Sequence, residues 1–374
     1  MIMMKAMVDQ VQEGGTPPAA GVSGPVTLAD VARATGFSLM TVSNALRDKP
    51  KVSEANRARI KQVARSMGYQ ANVAATMLRN RRSGIIQIVV DDFEVPFHAR
   101  VAKYLTQSAL ERGYQVVVRQ SLQPQQEEMR ALNPGPGLIY DGVILDAPNI
   151  TESQVAQHNP GRPVLVIGDC ESFVNVDSMD TACAQGAAAA AEHLVLAGCR
   201  RVVVLGAAHP DDQEAARASG NGFGPKRLAA IARVLEEHGL ALERDQCIIC
   251  VWTLEGGRQA AAELLNRVPG ERWDGSLGVL CLADTIAMGA LREFADHGIV
   301  VPRDAKIMGF DDIPFAEYSN PSISTVRMDV PAMAREVIDR MIRMIDANAG
   351  DGADDGVMHG HVPFQVVARD STGA

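Results

Sequence analysis

From Gly84 onward the chain alternates short apolar runs with helical stretches, and this rhythm limits what it can fold into more than any other feature. The runs are IIQIVV (85–90), QVVV (115–118), DGVILD (141–146), PVLVIG (163–168), RVVVLG (201–206), CIICVW (247–252), LGVLCLA (277–283) and KIMGF (306–310). Between most of them lie amphipathic segments such as AKYLTQSALERGY and GPKRLAAIARVLEEHG. Near-continuous apolar strands separated by helices predict parallel sheets covered on both faces. Eight strands exceed one comfortable sheet, and AQGAAAAAEHLVLAG restarts the rhythm, so two α/β lobes with a cleft between them are expected.

A different pattern precedes this one. Thr27, with Asp30 three residues on, signals the N-cap of a helix through Ala34 that carries Leu28, Val31 and Ala32 on one face. Ser38 is expected to cap a second helix through Leu46, with Val42, Ala45 and Leu46 inward. Ser53 is expected to cap a third, with Ile60, Val63, Ala64 and Met67 at helical spacing and Gly68 as its stop. The link TGFS places Gly36 where a tight helix-to-helix turn needs positive φ. Ala32, Gly36 and Val42 therefore satisfy a helix-turn-helix: a small residue at the crossing, a glycine in the turn and an aliphatic lock on the second helix.

Charge separates the same two parts. Residues 26–82 hold eleven Lys or Arg against three Asp or Glu, so +8 sits here and −17 on the rest of a chain whose total is −9. A basic module on an acidic body points to nucleic acid as the partner of the basic part alone. Residues 1–25, rich in Gly, Pro, Gln and Ala without periodicity, are expected to be a disordered tail. Within YQANVAATMLRNRRSG a helix of about eight residues from Asn72 is too short to persist unless something packs on it. That makes residues 71–82 a candidate switch between the basic helical module at 26–70 and the α/β body at 83–371.

The six cysteines (170, 183, 199, 247, 250, 281) lack the spacing of a disulfide framework and read as buried thiols of a reducing cytoplasm. Cys247 and Cys250 form a C-x-x-C on an expected strand, where an odd separation turns the side chains to opposite faces. There is no signal-peptide core and no window long enough to span a membrane. No cofactor or metal site is expected: the chain has no Gly-Lys pair for a P-loop, no G-x-S-x-G and no H-E-x-x-H. Enzymatic chemistry finds no foothold.

VTLADVARATGFSLMTVSNAL and VSEANRARIKQVARSMGYQAN, followed in order by AEHLVLAGCRRV, KRLAAIARVL, ADTIAMGAL, VPRDAKIMGFDD and PSISTVRMD, resemble the bacterial transcription regulators of the LacI/GalR (lactose-repressor) family. The resemblance spans about residues 26–371. It implies an all-α helix-turn-helix headpiece, a hinge helix that folds on DNA, and a core of two parallel-sheet lobes like the periplasmic binding proteins. It also implies a homodimer, or a dimer of dimers, on double-stranded operator DNA. The lobes are expected at 83–169 with 329–347, and at 170–326 with 357–371, with chain crossings near 169–172, 326–330 and 347–357.

Carried over residue by residue, Leu39 and Met40 occupy the positions that choose operator bases, with Thr41, Ser43 and Asn44 beside them. Thr27, Arg47, Asn72, Ala75 and Arg79 fall at further DNA-contacting positions, and Leu78 aligns with the leucine that wedges into the minor groove. Leu39 and Met40 offer only apolar contact, whereas Asn44, where an Arg is common, suits an adenine edge. Lys49, Lys51, Arg57, Arg81 and Arg82 read as phosphate contacts. In the core, Arg227, Asp311 and Trp252 match positions that hold a small effector, with chemistry suited to a sugar. Phe97, following Pro96, falls at a ligand-facing aromatic position, and Asp92, Asp169 and Asp284 are expected at the cleft rim. The function implied is a repressor of carbohydrate-use genes released by a sugar effector. Two alternatives stay open: the same fold answering to a purine or a phosphocarrier protein, and a sugar-binding or enzymatic α/β protein whose headpiece does not bind DNA.

Overall fold

The computed structural model describes residues 26–69, 82–121, 124–133, 140–146, 149–159, 161–168, 173–209, 211–212, 223–267, 273–350, 352 and 356–373. The expected tail (1–25) and most of the expected hinge segment lie outside these residues. The chain divides into two compact units, Met1–Asn80 and Arg81–Ala374.

In the first unit, helices α1 (Leu28–Thr35), α2 (Leu39–Leu46) and α3 (Glu54–Ser66) close around Val31, Ala32, Val42, Ala45, Val52, Ile60 and Ala64. Thr27 and Asp30 form a reciprocal capping box, and Gly36 ends α1 in the left-handed region at φ 75°. The Ser38 hydroxyl accepts the Thr41 amide of α2 at 3.2 Å. Ser53 differs from expectation: its side chain makes no capping bond to α3. Arg57 organises that entrance instead, donating to the carbonyls of Lys49 (2.9 Å) and Val52 (3.2 Å) and pairing with Glu54 (2.9 Å).

The second unit begins with β1 (Ile85–Val90), α4 (Pro96–Glu111), β2 (Gln115–Gln120), α5 (Pro124–Leu132), β3 (Gly142–Asp146), α6 (Glu152–His158), β4 (Val164–Gly168) and β5 (Asp177–Asp180). It continues with α7 (Cys183–Leu196), β6 (Arg201–Leu205), α8 (Phe223–Glu237), β7 (Cys247–Ile248), α9 (Leu254–Arg267), β8 (Leu277–Cys281), α10 (Asp284–Asp296) and β9 (Ala305–Met308). The chain closes with α11 (Pro314–Tyr318), β10 (Thr325–Met328), α12 (Val330–Asn348), β11 (His359–His361) and β12 (Phe364–Val367). One parallel sheet has the order β11-β5-β4-β3-β1-β2 and a second the order β7-β6-β8-β9; β10 and β12 pair antiparallel. The two parallel lobes expected from the apolar rhythm are present. Of CIICVW only Cys247–Ile248 is strand, with Cys247 in the cluster under α8 and Cys250 packed on the α9 and α10 side.

The lobe boundaries need correction. The expected second lobe began at 170, but Asp177–Asp180 lies in the first sheet beside β4, and the chain crosses over only at Thr181–Ala182. Likewise His359–His361 pairs with β5, so the last crossing falls at Val362–Pro363, not at 347–357. The middle crossing is at Asp329, whose carboxylate caps α12 by accepting the Ala332 amide at 2.9 Å. Helix α12 returns to pack on α4 in the first lobe. The missed strands are polar: Asp177 pairs with Arg340 of α12 at 2.5 Å, and Ser178 bonds His359 Nδ1 at 2.7 Å.

Cys199, Cys247 and Cys250 are free thiols that burial pushes up to about 11, 12 and 12, respectively. Among the described residues no group of three metal-ligating side chains occurs, and no helix is long and apolar enough to cross a membrane.

Glu128 of α5 is 2% exposed and accepts the Asn149 amide at 2.9 Å; burial pushes its acid up to about 7 from an ordinary 4.5. The unfolded chain ionises this group first, so stability is fully present below about pH 4.5 and is lost as pH rises through about 7, by roughly 3 kcal/mol. Urea unfolding across that range should show Glu128→Gln flattening this loss; an unchanged pH slope would refute the assignment.

Candidate functional site

Two surfaces carry chemistry, one on each unit. In the headpiece, packing Val42 and Ala45 inward turns the opposite face of α2 outward. Leu39 is 51% and Met40 71% exposed, an arrangement that costs solvation unless a partner covers it. Thr41, Ser43 and Asn44 are half-buried on the same helix, and Arg47 is exposed at its C-cap. Thr27 is exposed at the N-terminus of α1. Lys49 and Lys51 are exposed in the loop before α3. Arg57 is not among the free cations: its guanidinium is committed to the Lys49–Val52 backbone and Glu54. Asn72, Ala75, Leu78, Arg79 and Arg81 lie outside the described residues. Arg82 pairs with Asp346 at 2.8 Å.

In the core, Arg227, Trp252 and Asp311 come from three distant segments and meet. The Arg227 guanidinium lies 3.8 Å from the centroid of Phe310 and 5.0 Å from that of Trp252, and it is 5% exposed. It donates to the Leu282 carbonyl and, at 3.5 Å, to Cys183 Sγ at the start of α7. Trp252 is fixed by its indole N–H, which donates to the Gly206 carbonyl at 2.8 Å. Asp311 is 6% exposed at φ 104°, a strained conformation for a side-chain-bearing residue. Burial pushes its acid up to about 6, while the positive charges of Arg227, His98 and Arg100 pull the other way. The strained turn is held by Asp312, which pairs with Arg327 at 2.5 Å and Arg369 at 2.7 Å. The first lobe reaches this turn through Arg100, which donates to the Asp312 carbonyl at 2.9 Å.

Phe97 packs edge-on to His98, ring centroids 5.7 Å apart. Asp284 is not at a rim: it is fully buried, accepting the Ile313 amide at 2.8 Å and the Thr325 hydroxyl at 2.6 Å. It supports the turn that carries Asp311 from below, and Gly309 is required there because a Cβ would stand 2.1 Å from the Asp284 Oδ1. Asp92 is likewise a loop-forming residue, accepting the Glu94 amide and the Gln120 amide group, each at 2.9 Å. Asp169 lies outside the described residues.

Sequence reasoning missed Asp91, His98, Asp146 and Phe310. His98 Nδ1 lies 2.7 Å from the Asp146 carboxylate, and Asp146, Asp91 and Asp311 raise the histidine's basicity against the effect of burial. A signal for the carboxylates existed: Asp91 follows β1 and Asp146 ends β3, and ligands of parallel sheets bind beyond the carboxyl ends of the strands.

Comparison with known proteins bears on both surfaces. The profile of "Bacterial regulatory proteins, lacI family" matches residues 27–72, and that of "Periplasmic binding protein-like domain" matches residues 191–372. A solved transcriptional regulator of the LacI family from Sanguibacter keddieii DSM 10542 is 31% identical, covering 78% of this chain and 100% of its own, with a TM-score of 0.66. The chain belongs to the LacI family. This LacI-family protein is a DNA-binding transcription regulator and not an enzyme. Its fold matches that of the lac repressor dimer bound to operator and an anti-inducer, at 22% identity over 94% of this chain and 100% of that one, TM-score 0.78. The regulator is also similar in fold to the transcriptional regulator CelR in complex with cellobiose, at 24% identity over 92% of this chain and 99% of that one, TM-score 0.64.

Proposed function

We propose that this regulator represses carbohydrate-use genes and is released by a sugar or sugar derivative held between its lobes. The observation that carries the reading is the convergence of Arg227 with the indole face of Trp252 and the buried carboxylate of Asp311. A guanidinium and a carboxylate exchange hydrogen bonds with hydroxyls in a fixed direction, and an aromatic face covers the apolar side of a pyranose. The likeness in fold to a cellobiose-bound regulator agrees with it. Effector binding in the core and DNA binding by the headpiece are linked by a coupling of about 1–3 kcal/mol, so the effector weakens operator binding roughly 5- to 150-fold. A homodimer is part of the proposal, as in the operator-bound lac repressor; exposed Ile249, Val251 and Leu254 beside the edge strand β7 supply an apolar patch for it.

On the DNA side, Leu39, Met40 and Asn44 are proposed to read bases in the major groove, with Thr41 and Ser43 beside them and Thr27, Arg47, Lys49 and Lys51 setting register on phosphates. Asn72, Ala75, Leu78 and Arg79 are proposed as hinge contacts, with Leu78 as the minor-groove wedge. Binding to a library of palindromic duplexes, at several salt concentrations, tests the set. Asn44→Ala should relax base preference at one position of each half-site by about 1–3 kcal/mol, whereas Lys49→Ala should weaken all sequences alike and lower the salt slope by about 1. A protein that binds random duplexes as tightly as any palindrome would end the proposal.

A further inference from the structure

The groups assigned to the effector are shut away in this structure, and one contact between the lobes helps to shut them; this inference rests on the reading that an effector is held between the lobes. Arg227 is 5% and Asp311 6% exposed, so an effector reaches them only after part of the chain has moved. Part of the cover is α4 of the first lobe. Burial raises the acid of Asp311, and the positive charges of Arg227, His98 and Arg100 oppose it; the last two belong to the N-terminal turns of α4. Away from the three crossing segments, Arg100 joins the lobes directly, its Nη1 donating to the Asp312 carbonyl at 2.9 Å.

That carbonyl belongs to a turn with little freedom of its own. Asp311 and Asp312 both have positive φ, 104° and 49°, a region that is costly for residues with side chains. The surrounding second lobe fixes it there. The two carboxylate oxygens of Asp312 are taken by Arg327 at 2.5 Å and Arg369 at 2.7 Å, and the Ile313 amide donates to Asp284 at 2.8 Å. With its side chain spent on the second lobe, Asp312 offers the first lobe its carbonyl. A pull on that oxygen is therefore borne by the whole lobe and not absorbed by a slack loop. A hydrogen bond from a guanidinium is also stronger than one between neutral groups. Arg100 thus links a rigid helix of one lobe to the rigid turn of the other that carries Asp311.

We propose that Arg100 is an interlobe clasp: in the effector-free protein its bond to the Asp312 carbonyl holds the 311–312 turn against α4, and this bond must break before an effector enters or leaves. Arg100 is then a positioning residue that acts through the turn, not a group that grips the effector.

Two measurements on the full chain test this. The first needs no effector: spin labels at Gln126→Cys of α5 and Glu236→Cys of α8, exposed positions on opposite lobes, report the interlobe distance by pulsed electron resonance, with labelled chains diluted into unlabelled ones. Arg100→Met should shift and broaden the distance distribution, and Arg100→Lys, which keeps the charge on a shorter side chain, should fall between it and wild type. The same distribution with and without Arg100 overturns the clasp. The second measurement follows tryptophan fluorescence in stopped flow with a neutral sugar that raises Tm. Arg100→Met should speed association and dissociation alike by roughly tenfold, as the loss of one hydrogen bond from a charged group allows, and leave Kd within about threefold. Faster dissociation at an unchanged association rate would make Arg100 an effector contact and overturn the clasp. Urea midpoints report whether each variant has folded. If no sugar shifts Tm, the sugar reading falls, and the distance measurement alone decides for or against the clasp.

Discussion

Replacing Arg340 with Met should cost about 3–5 kcal/mol of stability, measured as a lower midpoint in urea unfolding. Arg340 lies inside α12, slightly more buried than its partner, and its Nε contacts Asp177 of β5 at 2.5 Å. It also donates to the Gly356 carbonyl, and the same Asp177 oxygen accepts the Met358 amide at 3.1 Å. One ion pair thereby ties α12 and the approach to β11 to β5, which lies far earlier in the chain. Removing the guanidinium leaves a carboxylate buried without its countercharge, which is the expensive half of breaking such a pair. The companion experiment is Arg340→Met combined with Asp177→Leu, which should recover much of the loss because neither charge is then stranded. If the single variant is as stable as wild type, the pair contributes nothing and β5 is held by its ladder alone.

Deleting residues 1–82 should abolish preference for an operator, a loss of at least about 1,000-fold in affinity for the best palindrome, while the remaining core keeps its unfolding transition and its response to effector. The headpiece has a hydrophobic cluster of its own, and the core carries separate clusters on both sheets. The deletion also removes the +8 segment and leaves a body of net negative charge, which phosphate repels at low salt. Fluorescence anisotropy with labelled duplex decides the matter: a truncated core that still selects the palindrome would move DNA recognition out of the headpiece.

Much of this architecture was legible in the residues because it is written locally. The Thr27–Asp30 capping box, Gly36 in the turn and the apolar face of Val31, Val42 and Ile60 are short-range patterns, and the helices follow them closely. The apolar strands of both sheets are legible for the same reason: each is buried on both faces and reads as a continuous run. Asp177–Asp180 and His359–His361 carry no such signature. Their polar side chains are tolerated in a sheet only because Arg340 and the Ser178–His359 contact satisfy them, and those partners are set by tertiary packing. The lobe boundaries shifted with them. In the cleft, Arg227, Trp252 and Asp311 were legible as positions of a family pattern. That Asp284 supports the turn from below, and not at a rim, depends on the Ile313 amide and Thr325 hydroxyl that it accepts.

By itself the sequence determined the kind of molecule: a basic three-helix reader joined to an acidic body of two parallel α/β lobes, since charge, capping and hydrophobic period act between near neighbours. The tertiary structure alone decided which polar groups meet. His98 finds Asp146, and Arg227 donates to Leu282 and Cys183 between the rings of Phe310 and Trp252, because these contacts join residues far apart in the chain and exist only once each lobe has folded.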